Sequence, residues 1–292
     1  MDIKPLKKLA LFQDLEVVPD LDKVLGQLYP ALANYTELEF RSDGKRIDLI
    51  TLSNDLDAVD DFLSVLGDRG TTKAELLTMT ALSNFGAGSV IGMKLPVAGS
   101  VIGGEMYVRA AIPLAEVEYF LKQHGVGSEA IAQISGLAQI FEKDYTHILA
   151  ADATSPPSFS VFFTTYLVPG EEERDRDRLQ QALAKTGVTE DGIEKFLPLH
   201  RLLGASRPET LYFSWRIKDG KPTIGAKIDY AGVRLGLVSE MLTRIGVANQ
   251  ARLPIKWGTQ LNVRQANYAG LVIGSHQLSG VRAYFTIPST KH

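Results

Sequence analysis

Alternating polar and apolar residues, grouped into hairpins that recur along the chain, leave few folds open to this sequence. Residues 36–41 (Thr-Glu-Leu-Glu-Phe-Arg) alternate over their whole length, and a Ser-Asp-Gly-Lys turn at 42–45 leads into a second predicted strand at 46–52. Such alternation is typical of strands with one buried face. Apolar residues then recur at helical spacing over 56–66, and a second helix is predicted over 73–82. The unit is a hairpin followed by two helices.

The same order recurs along the rest of the chain. Its strongest turn signal is the Lys-Asp-Gly-Lys sequence at 218–221, because Asp-Gly favours the tight turns that match strand twist. The further predicted strands are 89–97 with 101–112, 146–152 with 158–167, 211–218 with 223–230, and 268–276 with 281–287. The further predicted helices are 114–124, 128–142, 171–186, 189–203 and 233–245.

Repetition at this spacing predicts a closed or stacked array. The period is about 50 to 60 residues, which is typical of repeat architectures. Five hairpins supply about ten strands, and closing them into a barrel hides both edges of the sheet. The expected fold is α/β, a closed antiparallel ten-stranded β-barrel of repeated ααββ units surrounded by α-helices. We expect residues 1–292 to form a single domain.

The two faces of the predicted strands differ in chemistry. One face is apolar, as at Leu38, Phe40, Phe213 and Phe285, and must be covered by the apolar sides of the helices. The other face is polar, and it is either the solvated side of an open sheet or the wall of a water-filled lumen. Its residues are Glu37, Glu39, Arg41, Glu105, Tyr107, Arg109, Tyr212, Ser214, Arg216, Lys227, Asp229, Arg282 and Tyr284.

Three short motifs carry a family resemblance. The segment at 36–40 is similar to the first-strand Thr-Glu-Leu-Asp-Phe of bacterial phenol and naphthol prenyltransferases, and Gly-Gly-Glu-Met-Tyr-Val-Arg at 103–109, followed by Pro113, has the spacing of their Gly-Gly strand. The closing segments at 274–277 and 281–285 look like those of the cyanobactin peptide prenyltransferases. The predicted helix-wrapped barrel of ααββ units also resembles this architecture. Over essentially its whole length the chain therefore resembles the aromatic prenyltransferases of the ABBA or PT-barrel class.

This resemblance implies a transferase. It would move a dimethylallyl or geranyl group from its diphosphate to an electron-rich aromatic small molecule such as a phenol or an indole. Two alternatives stay open: a peptide side chain as the acceptor, and a non-catalytic barrel that carries an apolar anionic ligand. The resemblance implies either no cofactor or Mg²⁺ bound with the diphosphate, in which case Glu39 is the candidate metal contact.

The chemistry of that reaction selects residues from the polar face. A diphosphate needs charge-assisted hydrogen bonds from cations and phenols, and the allylic cation left after ionisation needs protection from water. A carboxylate must orient the acceptor or collect its proton, and Glu37 and Glu39 are the catalytic candidates. Simple cross-strand ion pairs of Glu37 with Arg41, or Glu39 with Arg109, are the alternative reading. The diphosphate-binding candidates on this face are Arg41, Tyr107, Arg109, Tyr212, Arg216, Lys227, Arg282 and Tyr284, and Lys94 is a further candidate from the predicted strand at 89–97.

Composition excludes several other classes. The net charge of −3, from 31 basic and 34 acidic residues, argues against a nucleic-acid partner, and the absence of cysteine excludes disulfides and thiolate metal sites. The most apolar window, residues 89–108, is interrupted by lysine, proline and glutamate, so no membrane span is predicted. The first residues lack the apolar stretch of a secretory signal, and we expect a cytoplasmic monomer.

Overall fold

The long strands form one antiparallel sheet that closes on itself. The structure, a computed structural model, describes residues 4–99, 103–167, 170–204, 208 and 210–287. Within those ranges the strands are β1 (Thr36–Arg41), β2 (Arg46–Ser53), β3 (Val90–Gly99), β4 (Glu105–Pro113), β5 (Tyr145–Asp152), β6 (Ser158–Tyr166), β7 (Thr210–Lys218), β8 (Lys221–Pro222), β9 (Ala226–Arg234), β10 (Gln265–Ile273) and β11 (Leu278–Thr286).

The first and last strands close the barrel. The long strands pair antiparallel in the order β1 to β7, then β9, β10 and β11, and β11 returns to β1 so that Leu38 lies opposite Phe285. β8 is a two-residue extension of the hairpin after β7, whose turn residues Asp219 and Gly220 both have positive φ, as the Asp-Gly signal predicts. The closed barrel of ten antiparallel strands is confirmed, and every long strand in the described chain has two neighbours.

Helices surround the barrel and arrive in pairs between the hairpins. In the described part of the chain they are α1 (Lys4–Phe12), α2 (Leu21–Gln27), α3 (Tyr29–Asn34), α4 (Leu56–Asp68), α5 (Lys73–Phe85), α6 (Leu114–Gln123), α7 (Ser128–Ile140), α8 (Glu172–Lys185), α9 (Glu190–Gly204), α10 (Leu235–Arg244) and α11 (Leu253–Leu261). The repeated ααββ unit is therefore confirmed.

The hydrophobic core lies between the helices and the outer face of the barrel. Trp257 of α11 contacts Phe40 of β1 and Phe285 of β11, with ring centroids 5.6 and 5.3 Å apart. Phe141, just after α7, packs on Phe213 of β7 at 5.1 Å. All five side chains are buried, and burying each contributes about 1.5–3 kcal/mol. With its outer face covered in this way, the barrel must turn its polar face inward.

Most predicted elements are confirmed, and the errors have local causes. The strand predicted at 223–230 begins only at Ala226, because Gly225 has a φ of +98° and passes too close to the Ile273 carbonyl for a side chain to fit. The strand predicted at 101–112 begins at Glu105, although residues 101–102 lie outside the described ranges. Helices α1 to α3 and α11 were not predicted, because each is too short to repeat an apolar period several times.

The connections divide the barrel into two ends. The turns within each hairpin, such as 42–45 and 219–225, lie at one end, called here the hairpin end. The connections to helices lie at the other end, called the helix end. No helix in the described part of the chain combines the length and the apolar character needed to cross a bilayer.

Candidate active site

The barrel encloses a cavity of about 390 Å³. This is within the range of small-molecule sites, which is roughly 300–1,000 Å³. The predicted polar face forms its wall, so the open-sheet alternative is excluded. Of the predicted site residues, the cavity is lined by Glu37, Lys94, Tyr107, Arg109, Tyr212, Arg216, Lys227, Arg282 and Tyr284.

Glu39 and Arg41 lie on the same face but outside the cavity lining. Glu39 is 0% exposed, and its two oxygens lie 2.5 Å from Lys94 Nζ and 3.2 Å from an Arg282 nitrogen. Arg41 lies beside the first hairpin turn, where its guanidinium donates to Asp43 at 2.7 Å. Two cations that do line the cavity, Lys94 and Arg282, therefore lie between Glu39 and the cavity. Arg41 lies at the rim of the barrel, beside the first hairpin turn.

Four cations converge toward the hairpin end of the cavity, and each has a carboxylate partner. Lys94 Nζ lies 3.1 Å from Glu105 in addition to its contact with Glu39. Lys227 Nζ lies 2.7 Å from Asp229 and donates to the Tyr284 hydroxyl at 2.8 Å. The remaining ion pairs are Arg282 with Glu39 and Arg216 with Asp152.

The buried ion pairs set the charge states at this end. Burial alone would raise the pKa of Glu39, but the charges of Lys94 and Arg282 outweigh burial and hold that pKa well below its usual range. Burial would lower the pKa of Lys94, but Glu105 and Glu39 outweigh it and raise the pKa. Both groups are therefore charged at neutral pH, and Lys94 is a fixed positive charge in the cavity wall.

Glu37 has a different environment. It is 5% exposed, and the Asn267 amide donates to its Oε1 at 2.7 Å. Tyr35 also hydrogen-bonds to it, while Arg109 lies near enough to favour its charge. Burial is the largest effect and raises the pKa of Glu37 above its usual range. A carboxylate with a raised pKa that borders a cavity is suited to accept a proton or to bind an N–H or O–H group.

Aromatic rings cover much of the remaining wall. The Tyr212 and Tyr268 rings meet edge to face with centroids 5.5 Å apart, and Arg109 hydrogen-bonds to Tyr212. Lys227 Nζ lies 5.2 Å from the centre of the Tyr284 ring. Burial raises the pKa of Tyr268 to about 12, so this phenol stays neutral and can donate a hydrogen bond. The π faces of such rings can stabilise a cation held between them.

Several residues of the site were not predicted. Asp48 and Asp152 lie among the cations, Tyr268 lines the cavity, and Tyr35 and Asn267 hold Glu37. Continuing the two-residue alternation along β2 would have placed Asp48 on the inner face. The partners of Glu37 come from outside the predicted strands, so alternation carries no signal for them.

No three His, Cys, Asp or Glu side chains in the described ranges are arranged to hold a metal ion. Glu39, the candidate metal contact, already has a cation at each oxygen. Coordinating Mg²⁺ there would require breaking a buried ion pair, which is costly. The donor set at this end of the cavity is thus suited to an anion.

Solved structures with the same barrel cover nearly the whole chain. A 5-dimethylallyltryptophan synthase from Streptomyces coelicolor matches with a TM-score of 0.65 at 15% identity, covering 99% of this chain and 97% of that one. A 6-dimethylallyl tryptophan synthase matches with a TM-score of 0.71 at 14% identity, covering 98% and 95%. No family model and no curated protein matches the sequence. The fold is that of the PT-barrel aromatic prenyltransferases, as the resemblance implies.

Proposed function

We propose that this protein is an aromatic prenyltransferase that moves a dimethylallyl group from its diphosphate to an electron-rich aromatic acceptor. The observation that carries the proposal is the division of one cavity inside the barrel into a hairpin end lined by cations and a wall of aromatic rings. A ligand with a polyanionic head and an apolar, cation-forming tail would use both. The Streptomyces coelicolor synthase of the same fold has been crystallised with DMASPP and Trp, which agrees with this choice of substrates.

The diphosphate of the donor would bind at the hairpin end. Lys94, Lys227 and Arg282 supply donors there, and Arg216 lies at the more open side, with its side chain 49% exposed. Charge-assisted hydrogen bonds to a phosphate group are shorter and stronger than neutral ones. Their strength grows as the C–O bond of the donor breaks, because the leaving diphosphate gains negative charge.

The dimethylallyl cation would then lie against the tyrosines. Tyr107, Tyr212 and Tyr268 present their rings to the cavity. Burial raises the pKa of Tyr107 and Tyr268, which keeps those two phenols neutral and weakly nucleophilic. The cation forms when the carbon–oxygen bond of the donor breaks and diphosphate leaves. The acceptor ring then attacks the cation, a C–C bond forms, and the ring carbon loses its proton. One C–O bond is thus replaced by one C–C bond, and one proton is released.

The two predicted catalytic acids take different roles in this proposal. Glu37 borders the cavity and would bind the N–H or O–H of the acceptor, drawing electron density into its ring. Glu39 is separated from the cavity by its partners, so we assign it to positioning: it holds Lys94 and Arg282 where the diphosphate binds. Arg41, at the rim, would contribute through its charge rather than by direct contact.

Cavity size favours the smaller donor. About 390 Å³ must hold the donor and the acceptor together, and this is near the lower end of the usual range of roughly 300–1,000 Å³. We therefore propose dimethylallyl rather than geranyl diphosphate, and a small acceptor such as an indole rather than a peptide. We also propose that donor binding needs no Mg²⁺, since protein cations fill that role, and that a chelator leaves the reaction rate unchanged.

The test is product formation with matched variants. The protein is incubated with dimethylallyl or geranyl diphosphate and with tryptophan, indole, phenols or cyclic peptides, and prenylated products are detected by mass spectrometry. Arg282→Ala should raise the KM for the donor, whereas Lys195→Ala, at an exterior salt bridge to Asp191, should not. Donor binding without any product from these acceptors would favour the carrier alternative.

A further inference from the structure

Each of the four cations at the hairpin end of the cavity has at least one carboxylate within 4.0 Å. The site for a polyanion therefore offers little net positive charge before the ligand binds. This balance differs from the simple excess of positive charge that the predicted site implies. The cations are Lys94, Arg216, Lys227 and Arg282, and their partners are Glu39, Asp48, Glu105, Asp152 and Asp229.

A diphosphate that enters this site meets carboxylates as well as cations. At low effective dielectric constant the repulsion between the diphosphate and an unneutralised carboxylate is substantial. The repulsion falls if one carboxylate takes up a proton, and the cation released by it can turn to the phosphate. The carboxylate that yields most readily is the one with the weakest support from its neighbours.

Asp152 is that carboxylate. It lines the cavity, and its only direct ion-pair partner in the described chain is Arg216, whose side chain is half exposed. By contrast, Glu39 has two cations at its oxygens, and Asp229 pairs with Lys227, whose side chain is only 15% exposed.

The other strands around Asp152 add one more acid. The β4–β5 register places Glu105 directly opposite it, while Ser158 faces it from β6. Lys94 and Arg282 act on it only from a distance. Two carboxylates on neighbouring strands cannot both be charged without cost.

We propose that Asp152 binds a proton when the diphosphate of the donor binds, which releases Arg216 to bind the phosphate. This inference rests on the proposed function and extends it, because it makes Asp152 a positioning residue for Arg216. Burial and then Glu105 raise the pKa of Asp152 to about 6, so at neutral pH the proton must be taken from solvent. Binding of the anion therefore consumes a proton, and its affinity must fall as the pH rises.

The test measures protons and affinity together. Inorganic pyrophosphate is titrated into wild type and Asp152→Asn by isothermal calorimetry, between pH 6 and 8.5 and in two buffers of different ionisation enthalpy. Pyrophosphate itself titrates in this range, but its contribution is common to both proteins and cancels in the comparison. We expect wild type to take up about one more proton near pH 8, and the ratio of its Kd to that of the variant to rise about tenfold per pH unit above pH 7.

Arg216→Gln is the second variant. It removes the charge of Arg216 but keeps a polar side chain, so a changed affinity can be assigned to the lost charge rather than to misfolding. Without the guanidinium the pKa of Asp152 rises further, so more of Asp152 is protonated before the anion arrives and the extra proton uptake should shrink. The affinity of this variant should fall, whereas that of Asp152→Asn should rise at pH 8. Equal proton uptake and parallel pH profiles in all three proteins would overturn the inference while leaving the donor site intact. No pyrophosphate binding by wild type at any pH would overturn the donor site itself, and the inference with it.

Discussion

Replacing Glu37 by glutamine should change activity and stability in opposite directions. Glutamine has the same shape, and its Oε1 can still accept the hydrogen bond that Asn267 donates at 2.7 Å. The local geometry is therefore kept, and the substitution removes only the charge and the ability to bind a proton. In the proposed reaction this is the group that holds the N–H or O–H of the acceptor.

The expected loss follows from what remains after the substitution. The amide oxygen still orients the acceptor, but it neither draws a proton nor stabilises the positive charge that develops on the ring. General-base catalysis contributes roughly 100- to 10,000-fold, and with orientation preserved we expect the lower figure, about 100-fold in kcat. That corresponds to about 3 kcal/mol in the activation free energy. The Kd for the diphosphate should stay unchanged, because Glu37 has no contact with the cations of the hairpin end among those described.

At alkaline pH the same substitution should keep or raise the stability of the folded protein, although it lowers the activity. The pKa of Glu37 is raised by burial in the folded state, so wild type loses stability as the pH rises from the unfolded pKa through the folded one. Glutamine has no such loss. Thermal unfolding at pH 8 should therefore show the Glu37→Gln protein at least as stable as wild type, with its advantage shrinking toward pH 4.

The matched control is Glu116→Gln, at an exposed position in the first turn of α6. Single-turnover kinetics with dimethylallyl diphosphate and the identified acceptor give the rates. Two results would refute the reasoning about Glu37. One is a rate equal to that of the control, and the other is a rate loss that tracks a lowered melting temperature.

Three further predictions test the wall and the core. Lys94→Met leaves the buried carboxylates of Glu39 and Glu105 without their cation and should lower the free energy of unfolding by about 3–5 kcal/mol at pH 8. The loss should be smaller at pH 5, where these acids can protonate, and urea unfolding at the two pH values measures the difference. Gly92→Ala should push the Tyr107 ring, which lies over Gly92, into the cavity and raise the KM for the acceptor about 10- to 100-fold, with little change in pyrophosphate Kd. His200 has a pKa lowered to about 4 by burial, so its presence should cost about 2–3 kcal/mol of stability between pH 7 and 4.5; His200→Gln should remove that part of the acid sensitivity in thermal melts, and an unchanged slope would contradict it.

The inner and outer faces of the barrel could be read from the sequence alone. A strand has a period of two, so a residue's side is settled by its distance from a neighbour of known burial. Leu38 and Phe40 are apolar and lie outside, which places Glu37 and Glu39 inside. The ααββ order followed from the same patterns, because the change from a period of two to one of 3.6 marks each change of element.

Which inward residues meet was decided by the tertiary structure. Glu39 on β1 touches Lys94 on β3 and Arg282 on β11, although these residues are far apart along the chain. Such contacts depend on how far each strand slides past its neighbour and on the closure of β11 against β1. For that reason Glu39 was predicted to face the substrate but stands behind its partners, and Asp152 was not predicted at all. Alternation determines the face of a residue, whereas register and closure determine its neighbours, and only the folded chain contains those two quantities.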